Sequence, residues 1–179
     1  VCVHNALNGA IPLVIKEKFP NASITCNEPF PYFINHLVGL GFNVINKNKL
    51  YKTHMNKEVH MSKFSIHIGN PPYQVPDNGF GASATPIYHK FVNQAIDDDP
   101  EHILMVIPAR WLSGGRSELN AFRKSMLADK RINLLHDYHS SKELFKNVEV
   151  KGGICYFRWD RDTPSDNCRI VEHYSNGKT

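Results

Sequence analysis

Apolar residues recur along the chain with two periods, and segments with one period alternate with segments of the other. Strands are predicted where apolar residues alternate or run together, and helices where they repeat every three to four positions. Strands are expected at 1–3, 23–26, 42–45, 64–68, 103–107, 132–138, 154–159 and 168–174. Helices are expected at 11–19, 31–40, 86–96 and 117–127. This alternation predicts the doubly wound α/β class, a mostly parallel sheet with helices on both faces. The continuous apolar run at 103–107 predicts a strand buried on both faces.

The end of the fourth predicted strand has the most distinctive local pattern. Apolar and small or polar residues alternate over 64–68, and a glycine then allows a sharp turn. Asn70 precedes a proline and is therefore extended, while Pro71 and Pro72 fix φ and remove two consecutive amide donors. The pattern predicts a stiff projection at a strand tip, which presents one side-chain amide and the ring of Tyr73.

This projection suits a planar base that carries an exocyclic amino group. The side-chain oxygen of Asn70 and the carbonyl of Pro71 could each accept one amino hydrogen, and Tyr73 could stack on the base. Stacking of a base on an aromatic ring contributes roughly 1–3 kcal/mol. Ligands of doubly wound sheets bind at the carboxyl ends of the strands, where this projection is expected.

The Asn-Pro-Pro-Tyr sequence at 70–73 resembles the catalytic motif of S-adenosylmethionine-dependent amino-methyltransferases, above all the adenine-N6 DNA methyltransferases of restriction-modification systems. Features between 79 and 160 follow the order found in those enzymes, including Arg-Trp-Leu at 110–112 and the run at 152–157. The resemblance implies a Rossmann-like methyltransferase sheet with an antiparallel C-terminal strand, S-adenosylmethionine as cofactor and DNA as partner. The catalytic residues that it implies are Asn70, Pro71, Pro72 and Tyr73.

The same resemblance identifies candidate cofactor-binding residues. In that family a Gly-rich turn after the first strand and an acidic residue after the second hold S-adenosylmethionine, and Glu28 stands at the second position. The turn at 3–10 keeps Gly9 but lacks the usual acidic residue and the other glycines. Asn46 stands where the family often has an acidic residue near the adenine ring of the cofactor. Either the turn binds the cofactor with substitutes such as Asn5, or the pocket has decayed.

Three further residues are expected to contact the substrate. Phe80 lies in a loop at 75–85 rich in Gly, Asp, Asn and Ser, which either closes over a flipped base or is a plain surface loop. Arg110 and Trp111 follow the fifth predicted strand, on the side where ligands bind. The lysine-rich stretch at 47–63 is either a solvated loop or a phosphate-contacting segment.

Composition adds limits on compartment and partners. The 179 residues are 41% hydrophobic, enough for the core of one domain, and the net charge of +4 permits a nucleic-acid partner. No apolar run approaches the roughly 18 residues of a membrane span, and no signal peptide is recognisable. We therefore expect no membrane partner and a location in bacterial or phage-infected cytoplasm. The four cysteines lack zinc-motif spacing, so buried thiols and no metal are expected.

We expect residues 1–179 to form a single methyltransferase-like catalytic domain, whole or as a fragment, without a target-recognition domain. A separate recognition subunit would then select the DNA sequence. Three functional hypotheses follow. The first is methyl transfer to the N6 amino group of a flipped adenine in DNA. The second is the same chemistry on RNA or on protein glutamine. The third is a non-catalytic methyltransferase-like module that binds nucleic acid or protein.

Overall fold

The computed structural model describes residues 1–4, 10–28, 31–46, 64–74, 85–114, 116–146 and 148–174. Its strands are β1 Cys2–His4, β2 Thr25–Glu28, β3 Asn43–Asn46, β4 Ile66–Gly69, β5 His102–Pro108, β6 Ile132–Tyr138, β7 Ile154–Asp160 and β8 Arg169–His173. Its helices are α1 Ala10–Lys18, α2 Pro31–Gly39, α3 Tyr88–Asp97, α4 Arg110–Ser113 and α5 Ser117–Ala128, with a 3-10 turn at Ser141–Glu143. Each element expected from the periodicity is present, with ends within two residues of the expected ones.

The strands form one eight-stranded sheet in the order β3-β2-β1-β4-β5-β7-β6-β8. β7 is antiparallel to both of its neighbours, and the other described pairings are parallel. The chain builds outward from β1 in one direction and from β4 in the other, so that the strand order reverses between them. Such a reversal is the point at which doubly wound sheets bind ligands. The predicted fold class is confirmed, including the antiparallel strand near the C-terminus.

Helices pack on both faces of the sheet and bury two hydrophobic clusters. The larger cluster joins α3 and α5 to one face of β5, β6 and β7; among its fully buried members are Val92, Ile103, Met105, Phe157 and Trp159. The smaller cluster joins α1 and α2 to the other face of β1 and β2, around Val3, Cys26 and Leu37. Among the described residues, no helix is both long enough and apolar enough to cross a bilayer.

β5 differs from its expected burial. Ile103, Met105 and Ile107 are at most 1% exposed, whereas Leu104 between them is 36% exposed. The expectation that this strand is buried on both faces is therefore wrong. The physical reason is that β5 alternates its side chains, and the helices that contribute to its cluster, α3 and α5, lie on the face of Ile103 and Met105.

Candidate active site

Residues 70–73 follow β4 directly and are neither helix nor strand, as the prolines require. They lie at the carboxyl end of β4, beside the reversal of strand order. Pro71 is buried, and Asn70, Pro72 and Tyr73 are half-buried. The segment expected at the tip of β4 is thus neither helix nor strand, and it lies at the edge of the sheet where doubly wound folds bind ligands.

The projection is held by the segment that enters α3. The backbone N–H of Ile87 donates to the carbonyl oxygen of Tyr73 at 3.0 Å, and Gln74 forms an isolated antiparallel bridge with Pro86. Two prolines restrict the backbone from within, and these contacts restrict it from outside. The backbone that carries Asn70 and Tyr73 is therefore restricted before any ligand arrives.

Two polar side-chain atoms of the motif, the Oδ1 atom of Asn70 and the hydroxyl oxygen of Tyr73, are shielded from solvent. Burial raises the pKa of the Tyr73 phenol, and an interaction with the Asn70 side chain opposes part of that rise. Tyr73 is therefore neutral near pH 7, which suits a ring that stacks on a base. The Oδ1 atom of Asn70 is shielded from solvent. A shielded amide oxygen is a stronger acceptor for an amino group than one exposed to water, since the local dielectric is low.

A cleft of about 650 Å³ opens beside Tyr73. Its volume is in the usual range for small-molecule sites, roughly 300–1,000 Å³. Its lining includes the apolar residues Pro86 and Pro108 and the ring of Tyr88, which is 2% exposed. Three cations and one carboxylate also line it: Arg110, Arg116, Lys151 and Glu149. A cleft with an aromatic floor and an excess of positive charge suits a nucleotide base and its neighbouring phosphates.

The structure separates the two neighbours Arg110 and Trp111. Arg110 lines the cleft, whereas Trp111 is 2% exposed and donates its indole N–H to the Sγ atom of Cys155 at 3.4 Å. Its ring also packs against Phe122, with the ring centroids 5.6 Å apart. Trp111 therefore belongs to the core in this structure, and it supports α4 rather than facing the cleft.

The sequence interpretation missed Arg116 and Lys151 as cleft residues. Each neighbours a glycine pair in the sequence, the pairs at 114–115 and 152–153. Gly152 has a φ of 87°, and a β-carbon there would lie 3.5 Å from the β-carbon of Arg110. A cation beside a glycine pair at a predicted strand tip is a signal that could have identified both residues.

The end of β2 offers oxygen acceptors beside the reversal of strand order. Glu28 ends β2 and is fully buried. Burial raises the pKa of the Cys26 thiol to about 11, and the nearby negative charge of Glu28 contributes to that rise. Asn27 is 2% exposed, and its side-chain oxygen has no hydrogen-bond partner among the described residues. Buried oxygens cost free energy unless donors reach them. A carboxylate and an amide oxygen here fit the hydroxyl and amino groups of S-adenosylmethionine.

Four of the candidate residues fall outside this description. Asn5, Gly9 and Phe80 lie outside the described residues. Asn46 ends β3, but its side chain is likewise outside the description. These four roles remain predictions.

The strand order and the position of 70–73 define a class, the S-adenosylmethionine-dependent methyltransferase fold. The structure is similar to a Listeria monocytogenes protein provisionally described as a class I S-adenosylmethionine-dependent methyltransferase, with a TM-score of 0.66 and 12% identity, over 99% of this chain and 59% of that chain. It is also similar to the type IIG restriction endonuclease BpuSI, with a TM-score of 0.62 and 16% identity, over 98% of this chain and 24% of that chain. At these identities the likeness shows the fold alone.

Sequence comparison narrows the class to a family. The family model described as Eco57I restriction-modification methylase matches residues 14–145. A Mycoplasma pneumoniae protein named an uncharacterized adenine-specific methylase is 36% identical over 132 residues, which are 72% of this chain and 31% of that protein. The chain belongs to the Eco57I restriction-modification methylase family. It spans about a third of the length of this relative.

Proposed function

We propose that this chain transfers a methyl group from S-adenosylmethionine to the N6 amino group of adenine in DNA, with the adenine flipped out of the duplex. The observation that carries the proposal is the rigid projection at 70–73, whose Tyr73 lines the cleft that also contains three cations. Membership of a restriction-modification methylase family supports DNA as the substrate. The name of the Mycoplasma pneumoniae relative supports adenine as the base.

The residues at 70–73 bind and polarise the amino group. The Oδ1 atom of Asn70 and the carbonyl oxygen of Pro71 each accept one amino hydrogen, which makes the nitrogen lone pair available outside the ring. Tyr73 stacks on the base and holds it at the strand tip. Pro72 keeps the backbone rigid between them.

When bound, S-adenosylmethionine supplies an electrophilic methyl group on a positively charged sulfur. Asn70 and Pro71 would present the amino nitrogen as the nucleophile for that methyl group, and the electron pair of the carbon–sulfur bond would remain on sulfur. The methylated nitrogen then loses one proton to solvent, so the site needs no general base of its own. Asn70 contributes by orienting the nitrogen in line with the methyl group.

Glu28 accepts hydrogen bonds from the ribose hydroxyls of the cofactor in this proposal, with Asn5, Gly9 and Asn46 completing the pocket. Its position at the end of β2, which only β1 separates from β4, is the support for this role. Phe80 is proposed to cover the flipped base.

The cations of the cleft contact the DNA backbone. Arg110 begins α4, Arg116 directly precedes α5, and Lys151 precedes β7. We assign them to phosphates that flank the flipped adenine, because phosphate contacts position a nucleic acid without reading its sequence. Selection of a target sequence is proposed to come from a separate recognition domain or subunit.

A comparison of methyl acceptors tests the proposal. The chain is incubated with radiolabelled S-adenosylmethionine and, in parallel, with adenine-containing duplex DNA, single-stranded DNA, RNA and a glutamine-bearing protein mixture. We expect label in DNA, and adenine-free DNA serves as the matched control. Label found only in RNA, or only in protein, would show that this material and not DNA is the methyl acceptor. Calorimetric titration that shows no binding of S-adenosylmethionine, with no label in any acceptor, would indicate a non-catalytic binding module.

A further inference from the structure

Three potential metal ligands converge where β1 pairs with β4. Cys2 and His4 are two residues apart on β1, so both project from the same face of the sheet. The strand register places His67 of β4 directly beside Cys2. One ligand atom from each residue, sulfur or ring nitrogen, lies within 4.8 Å of the others. All three residues are at most 2% exposed.

The distances approach those of a metal centre. The Nε2 atom of His4 is 3.7 Å from the Sγ atom of Cys2 and 2.8 Å from the Nδ1 atom of His67. Bonds of about 2.0–2.1 Å to nitrogen and about 2.3 Å to sulfur separate the ligand atoms of a tetrahedral zinc site by roughly 3.3–3.6 Å. The sulfur–nitrogen distance is already close to that range. The two nitrogens must separate by about half an ångström and exchange their mutual hydrogen bond for bonds to the metal.

A carboxylate stands behind one of the ligands. The Oδ2 atom of Asp98, next to the end of α3, lies 3.6 Å from the Nε2 atom of His67, the ring nitrogen that faces away from the cluster. Histidines that bind metals usually donate their second ring N–H to a carboxylate or carbonyl group. A proton on Nε2 of His67 leaves the lone pair of Nδ1 for a metal ion.

We propose that Cys2, His4 and His67 form a binding site for a borderline-soft divalent metal ion, Zn²⁺ in the first place, which joins β1 to β4 beneath the strand tip that carries Asn70. One thiolate and two imidazoles are ligands that Zn²⁺ and Co²⁺ prefer, whereas Mg²⁺ and Ca²⁺ prefer oxygen. These residues leave the fourth position of a tetrahedral centre to a further ligand. The site does not depend on methyl transfer, since it would hold the sheet together whatever the chain binds.

Proton release follows from this ligand set. The thiol of Cys2 gives up one proton to solvent when sulfur binds the metal. Each imidazole stays neutral and keeps its one proton, on Nε2 of His67 and on Nδ1 of His4, the nitrogens that do not bind the metal. We therefore expect one proton released per metal ion, which calorimetry in buffers of different ionisation enthalpy measures.

Cobalt substitution tests the site directly. The purified chain is stripped with a chelator and titrated with Co²⁺ while its absorption spectrum is recorded. We expect a thiolate-to-cobalt charge-transfer band in the near ultraviolet that saturates at one equivalent, and its loss when Zn²⁺ is added. A folded wild-type chain that shows no such band would overturn the proposal, and that result needs no variant.

Matched variants test which residues bind the cobalt ion that produces the charge-transfer band. Cys2→Ser removes the thiolate and should abolish it, whereas Cys26→Ser, a buried thiol on the opposite face of the sheet, should keep it. His136→Gln should also keep it; His136 and His173 form a second histidine pair, with Nδ1 and Nε2 2.9 Å apart but no thiol between them. Asp98→Asn should weaken Co²⁺ binding by about 10–100-fold while leaving the band in place at saturation. A band that survives Cys2→Ser, or that Cys26→Ser or His136→Gln removes, would contradict this assignment.

Discussion

A β-carbon on Gly69 would lie 2.3 Å from the backbone oxygen of His4. β1 and β4 are paired in parallel with these two residues opposite each other, at the point where the strand order reverses. Rotation of a side chain cannot relieve a contact between a β-carbon and a backbone oxygen, so one strand must move if residue 69 gains a side chain. The position of Asn70 therefore depends on the glycine that precedes it.

Gly69→Ala should lower the free energy of unfolding by about 1–3 kcal/mol, the usual cost of overpacking a closely packed site. Urea denaturation followed by circular dichroism measures it. Gly39→Ala is the matched control, because nothing lies within 4 Å of the new β-carbon at the end of α2. That change should leave stability unaltered or raise it by about 0.4–1 kcal/mol. Equal losses in the two variants would contradict the close approach of β4 to β1.

Tyr73→Ala should weaken binding of a flipped base, because the stacking ring is lost. Stacking contributes roughly 1–3 kcal/mol, which corresponds to about a 5–150-fold rise in the dissociation constant. Fluorescence of 2-aminopurine at the target position, titrated with the chain, measures the binding. Tyr73→Phe keeps the ring and should keep most of the affinity, so a similar loss in both variants would assign the effect to the hydroxyl instead.

Arg110→Ala and Arg116→Ala should each weaken DNA binding at low salt, and the loss should shrink as salt rises. Each phosphate contact contributes about 0.9 to the slope of log affinity against log salt for duplex DNA, so each variant should reduce the slope by about one. Fluorescence anisotropy over a salt series gives the slopes. Lys130→Ala is the control, since Lys130 pairs with Asp166 at 2.6 Å on the opposite edge of the sheet. If only Lys130→Ala changed the slope of log affinity against log salt, the DNA-binding surface would lie at that opposite edge instead.

Asp129 should make stability depend on pH in the acid range. Burial raises the pKa of this carboxyl, but hydrogen bonds from Arg131 and Trp159 outweigh burial, so the folded-state pKa lies below the ordinary value. A depressed carboxyl pKa stabilises the folded state at pH values above the unfolded-state pKa, about 3.9, and this stabilisation is lost as the pH falls through the folded-state pKa.

Asp129→Asn should therefore destabilise the chain near pH 7 by about 1–3 kcal/mol, since hydrogen bonds to a charged acceptor are lost. The difference from wild type should narrow as the pH falls below about 4. Urea midpoints at a series of pH values measure it. Asp166→Asn, at a side chain that is 80% exposed, is the control and should have little effect at any pH. A difference for Asp129→Asn that is constant with pH would contradict the role of its charge.

The elements of the fold could be predicted from the sequence because their signals are local. Alternation along 132–138 and helical spacing along 117–127 each depend on a few neighbouring residues, and both elements begin where expected. The shape of 70–73 is equally local, since two prolines restrict their own backbone and that of Asn70. The direction in which a side chain points after the end of a strand is not determined by its sequence neighbours alone. Arg110 and Trp111 are adjacent in sequence, yet one lines the cleft and the other lies in the core.

The remaining features depend on which strands pair. Cys2 and His67 are far apart in sequence, and only the β1 to β4 register brings them together. The absence of zinc-motif spacing therefore could not reveal their cluster. Arg116 and Lys151 meet at the cleft because antiparallel β7 begins beside the end of β5. The roles of Asn5, Gly9 and Phe80 stay predictions, because these residues lie outside the described part of the chain.

Methyl transfer to adenine through Asn70 is tested most directly by the amount of N6-methyladenine formed in adenine-containing DNA, measured by mass spectrometry, for wild type and Asn70→Ala. We expect product with wild type and a loss of about 100-fold or more in the variant, because one preorganised partner of the reacting group is removed. Binding of S-adenosylmethionine and the unfolding midpoint should stay the same in both. Equal product from both proteins would contradict a role for Asn70 in methyl transfer.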